Sequence, residues 1–201
     1  MKKVNKLMIV AHPDDELVFG GAELIKYGEQ YKVVCISYKN DKIRSKEFQN
    51  VMKQLNISNY EMWDFKDSLQ DYVNTLDENI SYEHKSFTNL LTRKWEKIVT
   101  HNPIGEYGHP KHKRLFETVK KLCNKFYVFG KDLEKLPDNI LKKKLELLKL
   151  YESQEELINQ LKNKNRDWSK STSPSNYIEH EKITRYVKSL DNTKYIPIYE
   201  K

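Results

Sequence analysis

The sequence contains few of the residues that mark several large classes of protein. It has 6 Gly, 6 Pro and 2 Cys in 201 residues, which excludes a collagen-like repeat, a proline-rich stalk and a disulfide framework. Its longest uninterrupted apolar run, residues 7–11, is five residues long, whereas a transmembrane helix needs about 20. Lys6 interrupts the start, and a charged segment stands where a signal peptide would be cleaved. We therefore expect a cytoplasmic protein without an integral membrane segment.

Charged and aromatic residues are abundant instead. They make up 32% and 11% of the chain, so there is enough bulky material for a folded core and too little bias for wholesale disorder. The formal net charge of +7 attracts phosphate groups and nucleic acid at long range. Because acidic residues are interleaved with the basic ones and no nucleic-acid-binding motif is present, we expect a solvated basic surface and no nucleic-acid partner. A substrate that carries phosphate fits the same charge.

Short apolar runs alternate with amphipathic stretches over the first 130 residues. The runs predict strands over 6–11, 32–37, 60–65, 97–101 and 126–129. The amphipathic stretches predict a helix that ends at Gly28 and further helices over 44–55, 87–95 and 111–124. Strands that alternate with helices are typical of an α/β protein with a parallel sheet. We expect a doubly wound, mostly parallel Rossmann-like sheet, with ligands bound at the carboxyl ends of its strands.

The composition changes after Gly130. A Lys/Glu/Leu pattern predicts one long helix over 141–161, and a polar, Pro-containing loop follows over 169–176. We expect this tail to form a helical C-terminal appendage that packs on the sheet. Residues 1–201 would then be a single domain, with a core at about 1–130 and a C-terminal helix and loops at 131–201.

Ionisable side chains crowd the end of the first predicted strand, where residues 11–16 read AHPDDE. His12, Asp14 and Asp15 would repel and desolvate one another there unless a cation or a substrate neutralised them. Imidazole and carboxylate ligands together suit zinc or ferrous iron. Taken singly, a histidine such as His12 or His101 is more often a core or loop residue, and Asp14 and Asp15 are ordinary helix caps.

A second group of histidines follows the strand predicted over 97–101, where residues 105–112 read GEYGHPKH. His101 ends that strand, and His109 and His112 stand three residues apart where the next helix begins. A third metal ligand would come from this strand end, because strand ends of a doubly wound sheet meet at one edge. Two histidines and one carboxylate with an open position are typical of a catalytic zinc site.

The two segments together closely resemble the PIG-L/LmbE family of metal-dependent N-deacetylases, which act on N-acetylglucosaminyl compounds. The resemblance runs over about residues 5–125 and implies an LmbE-like fold. Further positions that match the family are Arg44 and Glu47 in an R-x-x-E pattern, Asp67 after the third strand, and Lys144, Ser153 and Gln154 in a late K…SQ segment.

This resemblance implies a metal centre and a general base. His12, Asp15 and His112 would bind the metal, usually zinc (Zn2+), with ferrous iron (Fe2+) or another divalent metal as alternatives. Asp14 would take a proton from a metal-bound water, which attacks the acetyl carbonyl, and would later give it to the leaving amine.

The resemblance also implies contacts to the substrate. His109 and Tyr107 would donate hydrogen bonds to the oxyanion of the tetrahedral intermediate. Arg44, Asp67 and Lys111 would contact the substrate, with the planar Arg44 guanidinium suited to a phosphate or a sugar hydroxyl.

Two of these positions allow other interpretations. Arg44 also fits an exposed arginine at a helix start, paired with Glu47. Lys111 stands where many family members have aspartate, and it would either point to solvent or meet a substrate phosphate. An aspartate would help to keep the neighbouring His109 charged, whereas a nearby lysine disfavours the imidazolium.

Two glutamates next to the predicted site are expected to support it. Glu16 lies in the first turn of a helix, where a carboxylate favours the helix dipole, and it would also orient a metal ligand. Glu106 would do the same for His109 or Tyr107.

The sequence thus predicts a metal-dependent hydrolase that removes the N-acetyl group from an N-acetylglucosamine-type conjugate. The substrate would be a small molecule or glycan that bears an N-acetylated amino sugar. Two alternatives stay open: an amidase for another N-acyl substrate, and a non-catalytic module that binds sugar or phosphate on the same fold. The intact set of His12, Asp14, Asp15 and His112 favours an enzyme.

Overall fold

Strands and helices alternate along most of the chain. The computed structural model describes residues 3–65, 84–162 and 177–187. In chain order its elements are β1 (Lys6–Val10), α1 (Asp15–Tyr27), β2 (Tyr31–Cys35), α2 (Lys42–Gln54), β3 (Tyr60–Met62), α3 (Lys85–Leu91), β4 (Lys97–Thr100), α4 (Pro110–Leu122), β5 (Lys125–Lys135), α5 (Asp138–Leu148), α6 (Glu155–Lys162) and β6 (His180–Val187). Among the described residues, no helix is long and apolar enough to cross a membrane.

The described strands form one six-stranded sheet in the order β3-β2-β1-β4-β5-β6. All neighbouring pairs are parallel except β5 and β6. The chain first builds outward from β1 through β2 to β3 and then returns to place β4 on the other side of β1. The carboxyl ends of β1 and β4 therefore flank the crevice at which doubly wound sheets bind ligands. The predicted doubly wound, mostly parallel sheet is confirmed.

Both faces of the sheet are covered by apolar side chains. In β1, Leu7 and Ile9 belong to one buried cluster, and Met8 and Val10 belong to the cluster on the other face. All four side chains are fully buried. Burial on both faces explains why the central strands are continuous apolar runs rather than alternating ones.

The prediction of one long helix over 141–161 is wrong. Helix α5 ends at Leu148, a 3-10 helix occupies Glu152–Gln154, and α6 then begins. The backbone N–H of Ser153 donates to the Glu47 carboxylate at 2.8 Å, so it is not available for the helical bond to the carbonyl of Lys149. This tertiary contact interrupts a stretch whose leucine spacing is continuous.

The tail is also more than helix and loops, because it contributes the antiparallel edge strand β6. This strand pairs with β5, which extends well beyond the predicted 126–129. Its sequence, HEKITRYV, is largely polar, as edge strands often are, and carries only a weak apolar alternation. The loop predicted over 169–176 lies outside the described residues.

A buried ion pair of the tail, between Lys144 and Glu181, contacts helix α1 at the point where this helix is kinked. The backbone at Gly20 has φ −132° and ψ 16°, which is not helical. Lys144 Nζ donates to the carbonyl oxygen of Val18 at 2.8 Å, and the Glu181 carboxylate accepts from the N–H of Ala22 at 3.0 Å. The two side chains also pair with each other at 2.5 Å. They therefore satisfy a backbone carbonyl and amide that would bond to each other in a regular helix.

We predict that Lys144→Met lowers the free energy of unfolding by about 3–5 kcal/mol, because the buried Glu181 carboxylate loses its cation. Urea denaturation measures the change. The matched control is Lys120→Met, which breaks a partly exposed pair with Glu117 and should change the stability by less than about 1 kcal/mol. Equal losses in the two variants would contradict the structural role of the buried pair.

Candidate metal centre

The loop after β1 brings His12, Asp14 and Asp15 to the crevice between β1 and β4. All three are buried. The chain turns at Asp14, whose φ of 117° is positive for a residue other than glycine, and α1 starts at the next residue. Asp14 occupies the N-cap position, yet its side chain makes no capping hydrogen bond. The interpretation of Asp14 as an ordinary helix cap is therefore wrong.

Candidate donor atoms from both strand ends converge at this crevice. Two overlapping groups of three side chains place one donor atom each within 4.8 Å of the others. The groups are His12, His109 and His112, and Asp15, His101 and His112. The four histidines of the two predicted segments are thus brought together, and the hydrogen bonds of each ring indicate which ones offer a lone pair to a cation.

Hydrogen bonds occupy both ring nitrogens of His101 and one ring nitrogen of His109. The N–H of Ala11 donates to His101 Nε2 at 3.0 Å, and His101 Nδ1 lies 2.9 Å from a Glu106 oxygen. The N–H of Lys111 donates to His109 Nδ1 at 3.2 Å, so a neutral His109 carries its proton on Nε2. Neither ring presents a lone pair to the crevice in this arrangement.

His12, Asp15 and His112 form a nearly equilateral triangle of donor atoms. His12 Nδ1 lies 3.2 Å from Asp15 Oδ2 and 3.2 Å from His112 Nε2, and the third side of the triangle is 3.3 Å. In a tetrahedral site with bonds of about 2.0 Å, neighbouring ligand atoms are about 3.3 Å apart. The donor set and its spacing therefore fit a divalent cation such as zinc. Burial opposes the charge of Asp15, but the surrounding imidazoles hold its pKa well below the usual value.

Glu106 fixes the orientation of His112. One carboxylate oxygen accepts from His112 Nδ1 at 2.6 Å and from His101 Nδ1 at 2.9 Å. The other oxygen accepts from the N–H of Asn102 at 2.9 Å. Burial opposes the charge, but the two imidazoles lower the pKa of Glu106 to about 2. With its proton directed at Glu106, His112 turns the lone pair of Nε2 toward the triangle.

The prediction that Glu106 orients His109 or Tyr107 is wrong about the partners. Its carboxylate contacts His101 and His112 instead. The cause is the tight turn before α4. Gly105 has φ +68°, and a Cβ there would lie 2.6 Å from the carbonyl oxygen of His109. Glu106 also has a positive φ of 55°, which turns its side chain into the protein. Periodicity gives no signal for such a turn.

Asp14 lies beside the triangle and faces Arg44. Arg44 Nη2 lies 3.6 Å from Asp14 Oδ1 and donates to the carbonyl oxygen of Pro13 at 2.8 Å. The guanidinium stacks over the Tyr38 ring at 4.1 Å. Burial and the charge of Asp15 raise the pKa of Asp14 to about 7, against the opposing charge of Arg44. A carboxyl group with this pKa can both accept and return a proton near neutral pH.

The two residues of the R-x-x-E pattern contact different parts of the protein: Arg44 contacts the candidate site, and Glu47 contacts the tail. The interpretation of Arg44 as an exposed partner of Glu47 is wrong, because Glu47 instead accepts hydrogen bonds from Ser153. Lys111 is buried, and its Nζ donates to the carbonyl oxygen of Phe65 at 3.1 Å, so the solvent-facing alternative is also wrong. Asp67 lies outside the described residues.

The remaining predicted residues surround the triangle. The His109 ring lies 4.6 Å from the His12 ring and 4.5 Å from the His112 ring, between centroids. The Tyr107 ring lies 5.5 Å from that of His112. Glu16 is fully buried and accepts from the N–H of Asp14 at 3.1 Å, so its supporting contact reaches Asp14 and not a metal ligand.

A cavity of about 660 Å³ lies at the carboxyl ends of β2 and β3, on the same edge of the sheet. Its walls include Lys39, Trp63 and Phe65, and the start of α3. Lys111 reaches the wall of this cavity, because its Nζ donates to the carbonyl oxygen of Phe65. Helix α4, which carries the candidate ligand His112, thus contacts a segment that lines the cavity.

The sequence does not predict that Tyr151 belongs to the site. Tyr151 is fully buried, and its hydroxyl lies 2.5 Å from a Glu16 oxygen. The late K…SQ segment, which includes Tyr151, was the only signal that pointed to this part of the tail. Lys144 and Ser153 of the same segment make the buried contacts described above.

The sheet order and this donor cluster define an α/β protein with a candidate metal centre at the crevice between β1 and β4. Residues 7–123 match the family described as PIG-L: GlcNAc-PI de-N-acetylase. The chain is also 36% identical to the uncharacterized protein L374 of Acanthamoeba polyphaga mimivirus in an alignment 175 positions long, which covers 78% of this chain and 74% of that protein. The chain belongs to the PIG-L family.

Solved structures with the same fold include proteins that carry out different reactions. The 4-carboxy-2-hydroxymuconate hydratase GalB of Pseudomonas putida has a TM-score of 0.56 at 16% identity, over 95% of this chain and 98% of that one. The N,N'-diacetylchitobiose deacetylase of Pyrococcus horikoshii has a TM-score of 0.53 at 14% identity, over 75% of this chain and 70% of that one. The A40926 pseudoaglycone deacetylase Dbv21 has a TM-score of 0.59 at 15% identity, over 79% and 85%. At these identities the likeness establishes the fold alone.

We predict that Glu106→Gln weakens zinc binding about 10- to 100-fold. Both Glu106 oxygens accept hydrogen bonds, and an amide offers only one acceptor, so either the Asn102 contact or the His112 contact is lost. Titration against a chelator of known affinity measures the change. Glu117→Gln, an exposed change on α4, the helix that carries His112, is the control, and equal zinc affinity in the two variants would rule out this orienting role.

Proposed function

We propose that this protein is a metal-dependent hydrolase that removes the N-acetyl group from an N-acetylglucosamine-type amino sugar. The observation that carries the proposal is the triangle of His12, Asp15 and His112 donor atoms, with the Asp14 carboxyl beside it. Membership of the PIG-L family supports the reaction type. The deacetylases among the proteins of the same fold are compatible with it.

We assign zinc as the metal, with ferrous iron as the alternative. The two imidazoles, the carboxylate and the tetrahedral spacing of the triangle support this choice. When bound there, the metal would polarise the acetyl carbonyl and lower the pKa of a water molecule. The chain's own contribution is to hold three lone pairs together, with the Nδ1 protons of His101 and His112 directed at Glu106.

Asp14 would act as general base and then as general acid. It accepts a proton from the attacking water as the new carbon–oxygen bond forms, and it gives that proton to the nitrogen as the carbon–nitrogen bond breaks. The products are the free amine and acetic acid, which ionises to acetate. The raised pKa of Asp14, about 7, supports both steps because neither protonation state is strongly favoured near neutral pH.

His109 and Tyr107 would stabilise the negative charge on the carbonyl oxygen. The N–H of Lys111 occupies His109 Nδ1, which leaves Nε2–H as the donor of that ring. Tyr107 adds a hydroxyl close to the same ring, with the two ring centroids 5.9 Å apart. Donors held in place before the reaction stabilise an oxyanion without the cost of reorganising solvent.

The cavity beside β2 and β3 would receive the part of the substrate beyond the acetyl group. Its aromatic side chains and Lys39 suit a sugar conjugate that carries phosphate. We further propose that Arg44, Lys111 and Asp67 contact the substrate, and that residues 1–201 act as a single domain. Pairing of the tail strand β6 with β5 supports the single domain. The cytoplasmic location and the absence of a nucleic-acid partner stay predictions.

The test is amine release from a panel of N-acetylglucosamine derivatives by zinc-loaded protein, chelated protein and Asp14→Asn. We expect release only with metal, and a fall of about 10²- to 10⁴-fold in Asp14→Asn with zinc content unchanged. Asp138→Asn, an exposed change in the first turn of α5, is the control and should keep full activity.

Two results would refute the proposal. Protein that binds no zinc would remove the metal centre, and zinc-loaded protein that releases no amine from any compound would remove the N-acetyl amino sugar as substrate. Release of another acyl group from the same sugars would identify the alternative amidase.

A further inference from the structure

We infer that Tyr151 is a positioning residue, which holds the backbone of Asp14 through Glu16. The inference rests on the proposed function, because Asp14 matters to the reaction only as the general base. It adds a residue from the tail, beyond residues 7–123 that match the family, to the machinery of the site.

A continuous chain of hydrogen bonds joins the two residues. The Tyr151 hydroxyl lies 2.5 Å from one oxygen of Glu16, and the other oxygen accepts from the N–H of Asp14 at 3.1 Å. Tyr151 and Glu16 are fully buried, and Asp14 is 4% exposed. Water therefore does not replace either partner easily, and loss of the hydroxyl would leave a buried oxygen of Glu16 without its donor.

Asp14 needs such a contact because its backbone is strained. A φ of 117° with ψ −33° is unfavourable for a residue with a Cβ, and such conformations persist only where the surroundings fix them. The Asp14 carbonyl oxygen accepts from the N–H groups of Leu17 and Val18, at 3.0 and 2.8 Å. The Glu16 carboxylate holds the other side of the residue, at its N–H, and so sets the direction of the Asp14 carboxyl.

The position of the Tyr151 hydroxyl is fixed because the chain makes hydrogen bonds both before and after Tyr151. On one side, Lys144 bonds to the Val18 carbonyl of α1 at 2.8 Å. On the other, Ser153 bonds to Glu47 of α2 through its N–H and its hydroxyl, at 2.8 and 2.6 Å. Tyr151 lies in the short turn between these anchors. This turn is the break that interrupts the predicted long helix.

A second buried tyrosine provides a matched control. Tyr31 is also fully buried, and its hydroxyl donates to Glu23 of α1 at 2.6 Å. It begins β2, at the end of the sheet opposite the crevice. Tyr31→Phe thus removes the same kind of bond to the same helix without touching the site.

The experiment compares Tyr151→Phe with Tyr31→Phe in the zinc-loaded full chain. We expect Tyr151→Phe to lower kcat about 10- to 100-fold with KM and zinc affinity unchanged, and to speed hydrogen exchange of the Asp14 amide, followed by NMR. Tyr31→Phe should change neither, although both variants lower the unfolding midpoint. Equal losses of kcat in the two variants would show that the effect is one of stability, and would overturn the inference.

A double variant tests whether Tyr151 acts through Glu16. In a Glu16→Ala background the Tyr151→Phe change should lower kcat no further, because the chain is already broken. Independent, multiplying losses would contradict the proposed route.

The exchange measurement separates this inference from the proposed function. Wild-type protein that binds zinc but releases no amine would refute the deacetylase, and the exchange of the Asp14 amide would then decide the inference by itself. Exchange that is faster only in Tyr151→Phe supports it. Exchange that is unchanged in Tyr151→Phe overturns it, whatever the activity.

Discussion

The structure depends on one electrostatic constraint: three lone pairs must face one another inside a buried crevice. His12, Asp15 and His112 place donor atoms 3.2 to 3.3 Å apart, which is unfavourable without a cation. The surrounding contacts make the arrangement possible by directing protons away from it. Glu106 accepts a hydrogen bond from His112 Nδ1, and backbone N–H groups donate to nitrogens of His101 and His109. His101 and His109, which could compete as ligands, thus line the crevice without offering a lone pair to a cation.

Fold topology supplies the second condition, which is proximity. Residues 12–15 and 101–112 are far apart in the sequence, and they meet because the sheet order places β4 directly beside β1. The tail contacts the two helices, α1 and α2, that carry residues of this crevice. Its Lys144–Glu181 pair enters the kink of α1, and its Ser153 holds α2, the helix that carries Arg44. The two helices that carry the polar side chains around Asp14 are both fastened by the same segment.

Most of the parallel sheet was predictable from the sequence, and the tail was not. The apolar runs of β1 and β2 are buried on both faces, so they give a strong signal that depends only on local composition. The break at Ser153 and the edge strand β6 depend on partners distant in the chain, and no local pattern contains them. At the site, the crowding of His12, Asp14 and Asp15 predicted the location. The division of roles among the histidines could not be predicted, because it depends on which nitrogen accepts which N–H. The partners of Glu106 depend in turn on two positive φ angles.

The ion pair in the kink of α1 has a consequence for biosynthesis. Helix α1 leaves the ribosome early, but its Val18 carbonyl and Ala22 amide find their partners 126 and 159 residues further along the chain. The segment that shapes Asp14 is therefore completed only after residue 181 has been made. A nascent chain that already contains every candidate metal ligand, to residue 112, still lacks the contacts with the tail that fix helix α1 beside Asp14, so the donor atoms of the candidate metal centre are synthesised well before the contacts that complete its surroundings.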